Sequence, residues 1–319
     1  MGDTNFLKLQ YFLAAAKELN FTKAAAKLYI SQQALSAHIA SLEKELRVEL
    51  FTRTPVFKLT YAGKLMEESA KKILEIRRQL NNDIDQVIGL ARGELRVGIS
   101  YTRGQALLPY ILPQYHPRYP LIEITLKEGS SEILSELLRQ GEIDLVISTD
   151  PKLRAVAETI PLIEESILLT VPNRFLTSSF GDYAEDARKS FHNGVRLAGF
   201  RDCPFIMLKR GDRVRAALDE AFAAEGITPN ILLETDNIQT AISLSVLGLG
   251  LTAVPEMFLQ SVFIRHTADV EASVTRFPLA GNNAETLYVG YPRYTKPSPA
   301  ASAFIARLRV FFEKGDWLV

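Results

Sequence analysis

The amino-acid sequence predicts a multidomain chain, all-α at its head and α/β behind a long connecting helix. Three observations predict it. Apolar residues recur at helical spacing through residues 1–60, a Pro-free periodic segment follows over 61–89, and from Glu94 short β-branched runs alternate with helical patterns. At 319 residues there is room for two or three compact units.

In the head, Phe6, Leu9, Phe12, Leu13 and Ala16 mark a first helix ending near Asn20. A second begins after Asn20 or Phe21 and runs to Leu28, with Thr22 near its cap, and Tyr29-Ile30 turns into a third. Ser31 is the candidate cap of that third helix, because its hydroxyl can accept from the open amides two or three residues on. Leu35, Ile39, Leu42 and Leu46 share its inward side, while Gln32, Gln33, Ser36, Ala37 and Ala40 lie away from it. Small and amide-bearing side chains let a helix sit close in a major groove, where Gln can address a base edge. VELF and VFKLT then read as two strands around Thr52-Arg53-Thr54-Pro55, a basic wing tip aimed at phosphates. The competing reading is a three-helix bundle whose Gln and Ser merely meet solvent.

Hydrophobic residues are 47% and charged residues 23%, as in an ordinary globular protein. No run reaches the ~18 apolar residues of a membrane span, and the N-terminus lacks a signal-peptide pattern, so a cytoplasmic protein without membrane contact is expected. The single cysteine, Cys203, excludes an internal disulfide and a cysteine-based metal cluster. Charge is balanced overall, but residues 1–92 carry nine Lys and five Arg against three Asp and seven Glu, a head of +4 on a body of −4. That asymmetry suggests a polyanion partner for the head.

The stretch FTKAAAKLYISQQALSAHIASLEKEL, followed by LFTRT and LTYAG, resembles the DNA-binding domain of the LysR-type transcriptional regulators over residues 5–64. The resemblance implies a winged helix-turn-helix over 1–60, a dimerising linker helix over 61–89, and a two-lobed, periplasmic-binding-protein-like effector domain over 90–319. It implies DNA contacts from Thr22, Ser31, Gln32, Gln33, Ser36 and Arg53, double-stranded promoter DNA as partner, and no metal or cofactor. Two positions depart from the family pattern: Gln33 stands where Pro is usual, and Ala37 where Arg is usual. The missing guanidinium shifts weight to Gln32, Gln33 and His38.

Met66, Ala70, Ile73, Arg77, Leu80, Ile84 and Val87 are spaced 4, 3, 4, 3, 4, 3, a heptad seam interrupted at Arg77. Such a seam needs either a second subunit or the chain's own body. The family implies the former, antiparallel, and a dimer of dimers.

In open parallel sheets, ligands settle at the carboxyl ends of strands. The candidates there are Ser100, Tyr101 and Thr102; Gly129, Ser130 and Ser131; and Ser148 and Thr149. TDNIQTAISLSVLGLGLTAVP resembles the second lobe's helix and last strand, adding Thr235, Asn237, Val254 and Pro255, and PFIML places Pro204, Phe205 and Ile206 across the cleft. Hydroxyls at helix starts are also ordinary caps, but four clusters suggest a small polar or anionic effector between lobe I (94–162 and 270–319) and lobe II (163–269). Residues 173–202, long and rich in aromatics, read as a pocket wall, a subunit contact or a surface decoration.

Two other classes compete. An enzyme on the same two-lobed fold lacks support, since the four His are scattered and no nucleophile elbow or phosphate-cradling loop is found. An architectural DNA binder with a vestigial sensor would show weak sequence preference and no ligand-dependent footprint.

Overall fold

The computed structural model describes residues 5–52, 56–87, 93–191, 194–263, 274–281, 284–293 and 295–315. The head consists of α1 (Phe6–Glu18), α2 (Phe21–Lys27), α3 (Gln32–Leu46), β1 (Phe51–Thr52) and β2 (Lys58–Leu59). Asn5, Asn20 and Ser31 stand in extended backbone and accept from the amides of Lys8, Lys23 and Ala34 at 3.0, 3.0 and 3.1 Å. Each helix therefore starts where a short polar side chain satisfies an open donor. Asn20 caps α2, and α1 is closed by Leu19, in the left-handed region at φ 45°.

Leu9, Phe12, Ala24, Ala25, Leu35, Ile39 and Leu42 are buried together with Leu50 and Phe51. Leu46 departs from the expected inward face: it is the last residue of α3, beyond the reach of the bundle, and is 37% exposed. β1 and β2 pair antiparallel over only two residues each. Phe57 anchors this short wing by stacking on Phe51 at 5.0 Å and meeting Phe21 edge-on at 4.9 Å.

α4 (Tyr61–Val87) follows. Its first turns belong to the head, because Ala70 is fully buried there and Met66 and Leu74 pack beside it. The expected seam is thereby divided. Met66 and Ala70 face the chain's own head, and Arg77 lies over the Phe6 ring at 4.7 Å. Leu65, Ile73, Ile76, Leu80 and Ile84 are instead exposed by 51, 43, 59, 57 and 48%. At ~100° per residue they fall within ~100° of one another, one apolar stripe. Val87's side chain lies outside the described residues.

Lobe I is a five-stranded sheet of order β4-β3-β5-β12-β6, with β3 (Gly93–Ile99), β4 (Ile122–Glu128), β5 (Leu145–Ser148), β6 (Ala157–Glu165) and β12 (Glu285–Pro292). α5 (Tyr101–Tyr115), α6 (Ser131–Arg139), α7 (Leu153–Val156) and the last helix, α13 (Pro299–Glu313), pack on it. In lobe II, β7 (Ile167–Pro172) lies between β10 (Thr252–Pro255) and β11 (Val274–Pro278), while β8 (Pro204–Leu208) pairs with β9 (Asn230–Thr235) and bridges to Leu251 beside β10. Its helices are α8 (Asn173–Phe180), α9 (Ala184–Ser190), α10 (Arg213–Ala224), α11 (Ile238–Val246) and α12 (Glu256–Phe263).

One strand is reversed in each lobe, so among the described strands β3 pairs parallel with β4 and β5, and β8 with β9, while the other pairs are antiparallel. β12 runs antiparallel to both its neighbours, and β7 to both of its own. These are the strands that have just crossed from the other lobe. They begin at the hinge, whereas the others end there.

The crossings also correct the lobe limits. β6 stays paired with β12 down to Glu165, and β11 pairs with β7, so the chain changes lobe at Ser166 and again after Leu279 rather than at 162 and 269. Within residues 173–202, Phe180, Phe191 and Phe200 pack on one another at 5.4–6.1 Å, and Phe191 meets Phe277 at 5.5 Å.

Candidate functional site: a recognition helix and an interlobe cleft

On the head, Thr22, Ser31, Gln32 and Gln33 are exposed and Ser36 is half-buried. Gln32 donates from Nε2 to Ser36 Oγ at 3.1 Å, and Ser31's hydroxyl is occupied by the cap bond to Ala34. These groups share the outer side of α3, and small Ala37 and Ala40, also exposed, leave the helix surface low between them. His38 is not brought to this face. It is half-buried and meets the Tyr11 ring edge-on at 4.8 Å, on the side toward α1. Arg53 lies outside the described residues.

The cleft is built at the carboxyl ends of the lobe I strands. Ser100 follows β3 and precedes α5 without making a side-chain cap bond. Tyr101 is 63% exposed and Thr102 half-buried. Gly129 ends β4; Ser130 caps α6 through Ile133 at 3.4 Å, and Ser131 Oγ lies 3.3 Å from Ser148 Oγ. Ser148 also accepts from the Asp150 amide at 3.1 Å, and Thr149 lies beside it. In lobe II, Thr235 accepts from the Asn237 amide at 3.1 Å and Asn237 caps α11. These two are thus committed to local turns.

Three of the expected residues are turned away from the cleft. Phe205 and Ile206 are completely buried, with Phe205 against Phe222 at 4.9 Å, and Val254 is completely buried in its sheet. For Phe205 and Ile206 the reason is strand direction. Parallel strands offer loops to a cleft from their carboxyl ends, and Pro204-Phe205-Ile206 stands at the opposite end of β8. Pro255 is buried in its pairing with Ile167, and β10 runs on into half-buried Glu256 and buried Met257.

The charged groups of the cleft were not visible in the sequence. Arg103 and Glu165, 6% and 1% exposed at their side chains, pair at 3.0 Å at the hinge. Glu165 also accepts from the Met257 amide at 2.9 Å, and Arg103 lies over Phe258 at 4.9 Å, so one pair joins α5, β6 and α12. Such a pair is secure because each charge has several partners. Nearby, burial and the Glu165 charge push the Glu256 carboxyl above its ordinary range. From lobe II, Arg213 donates from Nη1 to the Thr149 carbonyl at 2.6 Å and sets Nε 2.9 Å from Glu285 at the start of β12. No spacing rule links these residues: Arg103 meets Glu165 only through the folding of lobe I, and Arg213 meets Thr149 and Glu285 only where lobe II faces it.

Lobe I also touches the linker. Asp144 holds the Arg96 guanidinium at 2.7 Å, which then reaches Glu75 of α4 at 3.2 Å; Arg139 meets Glu68 at 3.2 Å. Cys203 is buried beside Ser179 at 3.4 Å, and burial pushes its thiol up, the opposite of what a reactive cysteine needs.

Residues 6–64 match the bacterial regulatory helix-turn-helix family of lysR type, and residues 89–312 match the LysR substrate binding domain. Among curated relatives, the chain is 33% identical over 255 residues to the HTH-type transcriptional regulator AlsR of Bacillus subtilis, covering 77% of this chain and 79% of that one. It is 32% identical over 256 residues to the uncharacterized HTH-type transcriptional regulator YcgK of the same organism, covering 78% and 79%. A full-length OxyR variant from Pseudomonas aeruginosa has the same fold, with a TM-score of 0.68 at 23% identity over 96% of this chain and 98% of that one. Full-length CbnR in complex with its target DNA aligns with a TM-score of 0.56 at 24% identity over 96% and 99%. The chain therefore belongs to the LysR family of transcriptional regulators, a helix-turn-helix DNA-binding head joined to an effector-binding domain.

Proposed function

We propose that this regulator binds specific promoter duplexes in the cytoplasm as a non-enzymatic switch, with a small effector in the interlobe cleft deciding how it holds DNA. The observation that carries the reading is α3: its apolar side is buried in the head while Gln32, Gln33 and Ser36 remain open on the other side. Gln32 and Gln33 read base edges; Thr22, Ser31 and Arg53 hold the backbone. His38 has no part in base reading, because it packs on Tyr11.

The exposed stripe from Leu65 to Ile84 supports self-association, since an apolar strip of this length on a charged helix is stable only when covered. Two heads on a two-fold axis match an interrupted palindrome, and two such dimers make a tetramer. Effector binding shifts the lobes between arrangements, and the linker, tied to lobe I through Arg96 and Glu75, passes the change to the heads.

Footprinting on the adjoining intergenic DNA, with and without candidate metabolites, tests the reading. A protected palindrome whose outline changes with one metabolite is the expected result; weak, sequence-independent protection unmoved by any metabolite favours an architectural binder. Arg53→Ala should weaken binding to every duplex and lower the salt dependence by roughly one counterion. Unchanged affinity removes the wing from the interface.

A further inference from the structure

Arg103 and Arg213 both face carboxylates between the lobes, yet they are set differently. Arg103 is almost wholly buried with Glu165. The Arg213 side chain is 49% exposed, while its carboxylate partner, Glu285, is 11% exposed. A molecule entering from solvent therefore meets the guanidinium before it meets Glu285. Arg213 is also incompletely used: Nη1 serves the Thr149 carbonyl and Nε serves one Glu285 oxygen. A guanidinium presents five donors in a planar fork that suits both oxygens of one carboxylate.

Accepting the cleft as the effector site, we infer that Arg213 is the residue that selects an acidic effector, and that Glu285 is a resident carboxylate holding its place until a small organic carboxylate displaces it. The exchange occurs beside Thr149, with the Ser131 and Ser148 hydroxyls next along the same strand ends. Because Arg213 rides on α10 of lobe II while Thr149 and Glu285 belong to lobe I, replacing Glu285 with a ligand alters the tie between the lobes. Burial has already raised the Glu285 carboxyl above its ordinary range, with Arg213 the main influence opposing that rise, so a displaced Glu285 is readily neutralised by a proton.

Calorimetric titration of the full chain with sodium succinate, sodium acetate and methylammonium chloride tests this, using Glu285→Gln, Glu285→Ala, Arg213→Gln and Arg213→Lys. Glu285→Gln, and Glu285→Ala should the first variant misfold, should bind succinate at least roughly tenfold more tightly than the unsubstituted chain. Both Arg213 variants should bind it more weakly than the unsubstituted chain, the lysine because it keeps the charge and loses the fork. Equal succinate affinity in the Glu285 variants and the unsubstituted chain, or a gain for methylammonium instead, overturns the assignment. The two readings separate in the footprint. A metabolite that reshapes it equally with Arg213→Gln leaves effector control standing and refutes Arg213 as the selector. Tight succinate binding by Glu285→Gln without any metabolite-dependent footprint does the reverse.

Discussion

In the recognition helix, Gln32 and Ser36 are four residues apart and hydrogen-bonded at 3.1 Å; in the cleft, Arg103 finds Glu165 across 62 residues and Arg213 finds Thr149 across 64. The head thus builds its working face from one helix, whose periodicity chooses what is buried and what is left open. The cleft has no such unit. Its groups are strand ends and helix starts that become neighbours only after lobe I has folded, for Arg103 and Glu165, or after lobe II faces it, for Arg213 and Thr149. Damage to the first surface should stay local and affect binding, whereas damage to the second should spread into stability.

The sharpest way to break that contrast is Glu165→Ala. It strands the buried Arg103 charge and removes the acceptor of the Met257 amide, and should cost about 3–5 kcal/mol of effector-domain stability. Differential scanning calorimetry should show the head's transition in place and the larger one lowered. An unshifted larger transition would mean that the pair holds nothing together.

Gly63→Ala is the counterpart in the head. A β-carbon there would lie 2.1 Å from the Leu50 carbonyl oxygen, a backbone atom that cannot turn aside, so the start of α4 must move. A loss of about 1–3 kcal/mol is expected in the head's transition alone. Equal loss in both transitions would show the regions to be one cooperative unit.

Gln32→Ala should leave both transitions almost untouched, since the side chain is exposed. It should weaken specific DNA binding by roughly 1–3 kcal/mol and leave random DNA unaffected. Equal weakening on both would remove its base-reading role.

The smallest effect belongs to Glu256→Gln. Burial first, and the Glu165 charge second, raise the Glu256 carboxyl in the folded chain. A raised carboxyl costs nothing below its unfolded value, where both states are protonated. The cost grows as pH climbs above the unfolded value, where the unfolded chain ionises first, and levels off once the buried group ionises too. Glu256→Gln should therefore melt slightly higher at neutral pH and identically near pH 3. A difference that persists in acid would point to packing rather than charge.

The cap at Ser31, the apolar side of α3 and the strand-helix alternation after Glu94 were legible because each is written within a few residues, whereas the cap of α2 was placed near Thr22 and is Asn20. That Ser100, Ser131, Ser148 and Thr149 stand where strands end was legible because a carboxyl end of a strand is recognisable in a line of text. Phe205, Ile206 and Val254 misled for the complementary reason. An apolar strand reads alike whether its side chains fill a core or line a pocket, and only the direction of β8 and the pairing of β10 with β7 decide.

The sequence by itself determined the helices of the head, the long helix and the α/β alternation behind it, since periodicity, capping and turn chemistry act between near neighbours along the chain, while the two lobes were implied by the family resemblance. The tertiary structure alone decided which side of α4 is covered by the head, where the chain changes lobe, and that Arg103, Glu165, Arg213 and Glu285 gather between the lobes. Charge pairing and burial depend on distance through space, which spacing along the chain does not encode until the sheets have closed over their cores.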